Sequence, residues 1–178
     1  KNDGMLKMYA AFSYTDFDVT QEDINLPNGF RFGLENRNLY FNTSYKGFLK
    51  NNWTFLTGLS LTNDHSDIKL EADKVTNDEN SAHFKIRLKR NINNRVKINI
   101  GAEYFMTNFK ENFKSLNLGD FKYGFDNNIF GMFTEADVFF SKNVAAKVGV
   151  RAEYSELLKE FTLSPRVSLA YKASENGH

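Results

Sequence analysis

Residues 64–67 of this chain are Asp64, His65, Ser66 and Asp67, the side-chain types found in hydrolase triads and in metal sites. A triad needs a nucleophile beside a base in space, and neighbours along a chain do not have that geometry. A metal site needs a spacing that fixes a coordination sphere, which these four residues do not supply. We therefore expect a solvated loop here, with neither a catalytic site nor a metal site.

Other candidate groups carry equally little chemistry. The acidic residues Glu71, Asp73, Asp78 and Glu79 offer oxygen ligands for calcium, but the EF-hand pattern is absent. The chain has no cysteine, which excludes disulfides, thiolate catalysis and zinc–sulfur sites. The sequence predicts a protein that is not an enzyme and that needs no cofactor.

Composition narrows the class of protein further. A length of 178 residues allows one domain or a piece of something larger. The net charge of +1 argues against a nucleic-acid partner, because such proteins carry a basic surplus. The mean hydropathy of −0.52 excludes a helical membrane protein. A transmembrane β-barrel remains allowed, because its polar interior lowers the average.

Alternation of apolar and polar residues is the dominant pattern, and it predicts β-strands. In the stretch 144–154, Val144 and Val148 share one face while Lys147 and Arg151 share the other. About ten residues is the length with which a tilted strand crosses a hydrocarbon layer. Eight strands are predicted, at about 5–15, 37–49, 52–62, 81–90, 95–107, 128–140, 144–154 and 163–172.

The predicted connections alternate in length. The short ones are 50–51, 91–94 and 141–143, and the longer, polar ones are about 16–36, 63–80, 108–127 and 155–162. In an antiparallel meander, every short turn then lies at one end of the sheet and every long loop at the other. Bacterial outer-membrane barrels have this asymmetry. A soluble up-and-down barrel can have it too, though nothing requires it.

Aromatic residues on the apolar side cluster at strand ends, which favours contact with lipid over packing into a core. Amphipathic rings prefer the two lipid–water boundaries, whereas a soluble core would hold large rings near its middle. Small mid-strand residues such as Ala102, Ala136 and Ala146 also favour lipid, because a core must be densely filled. The predicted interface aromatics are Tyr14, Tyr45, Trp53, Tyr104, Phe140, Tyr154 and Tyr171.

The opposite side of the strands is charged with both signs. Its predicted interior-facing residues are Lys85, Arg87, Glu103, Glu135, Asp137, Lys147, Arg151, Glu153 and Arg166. If Phe140 pairs with Val144 across the turn, Asp137 falls opposite Lys147, which supports the register by up to about 1 kcal/mol. Two interpretations stay open: a solvated face with balanced charge, or a wall that contacts a plug or lines a solute path.

Two consecutive strands carry motifs of a known family. Their residues are Gly149, Arg151, Glu153 and Tyr154 in the first strand, and Pro165, Arg166, Ser168, Leu169 and Tyr171 in the second. With these motifs, the segment 128–175 resembles the barrel strands of TonB-dependent outer-membrane receptors, especially those of Bacteroidetes. The remainder of the chain is similar to that family only in its architecture.

The resemblance implies an all-β, antiparallel up-and-down transmembrane barrel of about 22 strands, closed around a plug. It also implies TonB-energised import of a scarce nutrient across the bacterial outer membrane. Outer-membrane lipid, the plug and TonB are the implied partners, and a surface lipoprotein is a further candidate. With about eight strands, no plug domain, no TonB box and no aromatic residue at 175–178, residues 1–178 are expected to be an internal barrel segment. The plug and TonB would then act through the missing part of the chain.

Two alternatives to an importer remain. One is a complete eight-stranded outer-membrane barrel with a structural or adhesive role, which requires the first strand to pair with the eighth. The other is a soluble all-β binding module. No loop carries a recognisable ligand code, so the sequence does not identify a transported substrate.

Overall fold

The structure is a computed structural model that describes residues 4–24 and 26–173. Its eight strands form one antiparallel sheet in sequence order, which confirms the predicted all-β meander. Among the described residues no helix is long and apolar enough to cross a membrane. The segment 175–178, used above in the expectation of an internal fragment, lies outside the described residues. The strands are β1 (Met5–Asp23), β2 (Leu26–Phe48), β3 (Trp53–Leu70), β4 (Asp73–Asn91), β5 (Val96–Ser115), β6 (Gly119–Phe139), β7 (Val144–Ser155) and β8 (Glu160–Tyr171).

The three predicted short turns are confirmed, and local side chains account for their geometry. Asn51 and Asn52, between β2 and β3, both adopt left-handed backbone angles (φ 59° and 61°), which asparagine tolerates better than most residues. Between β4 and β5, Asn93 Oδ1 accepts hydrogen bonds of 2.8 Å from the backbone N–H groups of Arg95 and Val96. Ser141 Oγ plays the same role between β6 and β7.

The prediction of long loops at the other end is wrong. Most of 16–36, 63–80 and 108–127 is strand, so that β1 to β6 continue well past the predicted boundaries. Only residues 71–72 connect β3 to β4, and only residues 116–118 connect β5 to β6. We call the end of the sheet with the three short turns its lower end. The prediction failed because the apolar residues of these upper segments lie on the other face of the strands, which breaks the alternation that marks the lower parts. Side-chain ladders support the extra length, such as Asn63 Nδ2 donating to Asn80 Oδ1 at 2.7 Å.

The sheet has two faces of opposite character. The strand register places the predicted apolar rows of all eight strands on one side, here called the apolar face, and the charged residues on the other, the charged face. The described residues include no buried hydrophobic side chain. The most enclosed polar residues lie on the charged face instead, including Asn99 and Glu103. The apolar face therefore has no partner within the described part of the chain.

The apolar residues form a band that runs obliquely across the strands. At its upper edge, the register leads from Tyr14 on β1 across five strand steps to Gly124 on β6, yet the last apolar residue of β6 is Phe130, six residues away. At its lower edge, Tyr45 is in register with Leu163 on β8, and the band continues eight residues further to Tyr171. With 3.3 Å per residue and 4.8 Å between strands, both edges give an inclination of about 40°.

The two outermost strands have free edges in this sheet. Strand β1 pairs only with β2, and β8 pairs only with β7, so the described residues do not close a barrel. A free edge leaves backbone N–H and C=O groups without partners, which is costly wherever water is excluded.

Candidate functional site: the charged face

Glu103 on β5 is the centre of the charged face. Only 6% of this residue is exposed. Its carboxylate accepts hydrogen bonds from Lys85 on β4 and from Arg151 on β7, the latter at 2.7 Å from Nη1 to Oε2. Arg151 also donates from Nε and Nη2 to Glu153 Oε2, at 2.9 and 2.8 Å. Because a buried carboxylate is stable only when it is paired, this network fixes the side chains of three strands.

Glycines on the charged face allow the network to cross the sheet. Gly131 on β6 lies between Glu103 and Glu153 in the register. A Cβ atom at Gly131 would come within 2.9 Å of Arg151 Nη2, so the guanidinium lies over this glycine. The ring of Phe133 covers Gly101 in a similar way. These glycines are needed for close approach by neighbouring side chains.

A second ionic group lies nearer the short turns. Asp137 is directly opposite Lys147, as the turn register predicted, and Phe140 N donates to Val144 O at 3.0 Å. Lys147 Nζ lies 3.4 Å from Asp137 Oδ1 and 3.8 Å from Glu135 Oε2. One lysine is thus shared between two carboxylates on β6.

All nine residues predicted for the interior-facing set lie on the charged face. Six of them line one concavity of about 180 Å³ together with Phe133 and Val150, namely Lys85, Arg87, Glu103, Glu135, Arg151 and Arg166. Asp137 and Lys147 belong to the group near the turns, and Glu153 joins the network through Arg151.

A neighbouring concavity of about 220 Å³ is lined only by cations among its charged residues: Lys46, Arg87 and Lys89. No ion pair of these three residues occurs within residues 4–24 and 26–173. Sequence reasoning did not single out Lys46, because Phe48 and Tyr40 obscure the alternation on β2.

The lower wall is defined here as the charged face from the row of Lys85 and Glu103 down to the short turns. It carries nine cations against four carboxylates in the strands, a formal excess of five positive charges. The cations are Lys7, Lys46, Lys85, Arg87, Lys89, Lys97, Lys147, Arg151 and Arg166, and the carboxylates are Glu103, Glu135, Asp137 and Glu153. The charge of the lower wall is therefore not balanced, which disfavours the first of the two interpretations that the sequence left open.

The predicted interface aromatics lie on the apolar face, with Phe140 in the turn after β6. Tyr104 and Tyr154 belong to one register row, which also contains Phe84, Phe130 and Phe161. Sequence reasoning missed the last three rings as members of a belt, because their alignment depends on the register between strands.

The four consecutive residues 64–67 are part of β3. The expectation that they form a solvated loop is therefore wrong. Asp64 lies on the charged face, where Asn36 and Asn38 donate to its carboxylate. His65 and Asp67 point to the opposite face, where His65 Nδ1 contacts Asp78 Oδ1 at 2.6 Å. Since alternate residues of a strand face opposite ways, the four side chains do not converge on a common site. Within the described ranges there is no cluster of potential metal ligands.

No family model matches this chain, and no curated protein matches it either. Solved structures do. The alcaligin outer membrane receptor FauA from Bordetella pertussis is 10% identical with a TM-score of 0.79, over 97% of this chain and 31% of that one. The outer membrane transporter YddB from Escherichia coli is 11% identical with a TM-score of 0.74, over 96% of this chain and 27% of that one.

The chain thus spans about a third or less of the length of the structures that it matches. At these identities the likeness shows the fold: an antiparallel sheet of the kind that forms the wall of outer-membrane barrels.

Proposed function

We propose that this chain is part of the wall of an outer-membrane barrel of the TonB-dependent receptor type, which imports a scarce nutrient. The apolar face contacts lipid, and the charged face lines the interior. The plug and the TonB contact belong to parts of the protein beyond these strands, and a surface lipoprotein is a further candidate partner at the outer end.

The oblique apolar band is the observation that carries this proposal. Six strands contribute about nine to eleven residues each to the band, and β2 and β4 contribute about seven. The inclination of about 40° agrees with the 35–45° tilt of strands in membrane barrels. A band of that length and tilt is about 25 Å tall along the membrane normal, the height of a lipid-facing belt. A face packed against a second sheet needs no such constant height.

The lower wall supports the presence of an acidic body inside the barrel. An excess of five positive charges at membrane depth is unfavourable without nearby negative charge, because lipid outside the wall offers little screening. Lys46, Arg87 and Lys89 have no carboxylate partner among the residues that the structure describes, and they lie on β2 and β4. A globular plug with carboxylates on its surface satisfies that arrangement better than one small anion.

A complete eight-stranded barrel with a structural or adhesive role is the second candidate. Its basis is that the described residues form eight strands in meander order. It requires β1 and β8 to pair, and neither strand has a second neighbour among the described residues. The match to about a third of two larger chains favours a segment of a wider barrel.

Membrane insertion tests the proposal directly. The intact protein should be extracted from the outer membrane only with detergent, and its gel migration should change on heating. Trp53 is the single tryptophan and lies at the lower edge of the apolar band, so lipids brominated along their acyl chains should quench its fluorescence. A protein that stays monodisperse in plain buffer at high concentration would rule the proposal out.

Disulfide cross-linking distinguishes a small barrel from a segment of a large one, because the chain has no native cysteine. Ala145→Cys with Ala170→Cys should cross-link, since these residues are directly opposite on β7 and β8. A panel of cysteine pairs between β1 and β8, stepped through several registers, should not. Efficient cross-linking in that panel would support the closed eight-stranded barrel instead.

A further inference from the structure

Above the apolar band, the large apolar residues of the strands lie on the charged face and no longer on the apolar face. On β1, Met8 and Phe12 lie on the apolar face, but the next large apolar residues, Phe17 and Val19, lie on the charged face. The same change occurs on β2 to β6. We call the charged face of these upper strand segments, from the row of Ser13 upward, the upper wall.

The change of side produces one continuous apolar row across six strands of the upper wall. Its members are Phe17, Leu34, Ile68, Val75, Phe113 and Phe121, each in register with the next. At the same height the opposite face carries Asp18, Lys69, Lys74 and Lys114, so it is surrounded by water and not by lipid. The apolar row therefore faces the enclosed side.

Aromatic rings dominate this row and its surroundings. Phe17 and Phe32 have ring centroids 5.6 Å apart, and Phe113 and Phe121 have centroids 6.2 Å apart. Phe109 and Phe125, two rows lower, form a third pair at 5.5 Å. Phe121 is 57% exposed, so part of this aromatic surface is free to contact another molecule. Contiguous exposed apolar surface of this kind marks a binding surface.

The charge of the upper wall is opposite to that of the lower wall. Glu111 lies in the row directly below the apolar row, and Asp64 and Glu79 lie in the Ser13 row, one row further down. The described residues from the Ser13 row to the apolar row include no lysine or arginine on this face. Neither Glu79 nor Glu111 forms an ion pair within the described part of the chain. The upper wall thus combines aromatic rings with uncompensated negative charge.

From this combination we infer that the upper wall binds a small solute that carries both a positive charge and an apolar or aromatic surface. The inference rests on the proposed function, because it takes the charged face as the inside of a barrel. Aromatic faces attract cations, and neighbouring carboxylates strengthen that attraction. A polyanion is repelled by the same carboxylates. The apolar row meets the polar rows within a few ångströms, as in small-molecule sites that have an apolar lining and a few polar groups.

Binding of benzyltrimethylammonium to the intact protein in lipid nanodiscs tests this assignment, with isothermal titration as the measurement. Tetramethylammonium lacks the ring and benzenesulfonate reverses the charge, so both should bind at least about fivefold more weakly. Glu79→Gln combined with Glu111→Gln should remove the preference for the cation. Phe113→Ala combined with Phe121→Ala should weaken binding of the aromatic cation by about fivefold or more.

Asp120→Asn is the matched control, because Asp120 lies on the opposite face of the same strand end, facing Lys114. It should leave the affinity unchanged. If the phenylalanine variant does not insert into the lipid nanodisc, the affinity of the glutamate variant alone tests the inference. Equal or tighter binding of benzenesulfonate, no binding, or no effect of the glutamate variant would overturn the inference. Quenching of Trp53 by brominated lipid is measured on the same sample. If quenching occurs, such a result overturns only the inference, whereas absence of quenching means that the proposed function itself has failed.

Discussion

Arg151 on β7 reaches Glu103 on β5 across the whole width of β6, with 2.7 Å between Nη1 and Oε2. The guanidinium can take this path because the intervening residue in the register is Gly131. Lys85 contacts the same carboxylate from the other side. One buried carboxylate thus ties β4, β5 and β7 together on the charged face.

Removal of this carboxylate should destabilise the wall. Glu103→Ala leaves Lys85 and Arg151 without their shared partner, and we expect a loss of about 3 kcal/mol in the free energy of unfolding. Urea titration of the heat-modifiable form in lipid vesicles measures it. The exposed carboxylate of Glu160 on β8 is the control, and Glu160→Ala should change the unfolding free energy little. Equal effects of the two variants would contradict the central role of Glu103.

A side chain at Gly131 should break the same contact indirectly. The new methyl group of Gly131→Ala would displace the guanidinium of Arg151, and we expect a loss of about 2 kcal/mol, the typical value of a charge-assisted hydrogen bond. At Gly58 an added Cβ would be 3.4 Å from the nearest atom, an ordinary contact, so Gly58→Ala is the matched control. In a double-mutant cycle, Gly131→Ala should cost much less once Arg151 is already alanine. Full additivity would argue against this mechanism.

The two faces should respond differently to one added charge. Ile100 is in the middle of the apolar band on β5, and Ser60 is on the charged face of β3. Ile100→Lys should reduce the unfolding free energy in lipid vesicles by about 2–4 kcal/mol, because it places an ammonium group in hydrocarbon. Ser60→Lys should be tolerated. The reverse order would mean that the faces are assigned the wrong way round.

The upper part of the β3–β4 hairpin should be sensitive to pH. The hydrogen bond from His65 to Asp78 raises the pKa of His65 above its ordinary value of 6.5. A raised folded-state pKa means that the stabilisation is complete below about pH 6.5 and is lost as the pH rises through the folded value. Amide exchange around His65 should therefore be slower at pH 5.5 than at pH 8.5 after correction for intrinsic rates. Asp78→Asn should reduce the difference strongly, with only Asp67, 3.8 Å from His65 Nε2, still favouring the charged ring. An unchanged difference in that variant would exclude the His65–Asp78 pair as its cause.

The sequence by itself determined the eight strands, their faces and one cross-strand pair. Period-2 alternation is a local property, so the rows that include Val148 and Tyr104 could be assigned to one face without coordinates. The pairing of Asp137 with Lys147 followed from a short turn, because a tight turn fixes the register of the strands that it joins.

The length of the strands depended on the tertiary structure. The segment after Tyr14 predicts a loop because its apolar residues shift from even to odd positions at Phe17. That shift is the signal that alternation analysis could have used, if the two phases had been scored separately. The physical reason is a change in surroundings, because at this height the apolar face ends and the same side of the sheet carries charged residues instead.

Only the register across several strands showed which residues act together. Glu103, Gly131 and Arg151 are far apart in sequence, and their contact depends on the alignment of β5, β6 and β7. The slope of the apolar band and the contrast between the lower and upper walls arise in the same way. The net charge of the sequence is a sum over the whole chain, whereas the strand register determines the face and the height at which each charged residue lies. The local charge that results determines what each surface can bind.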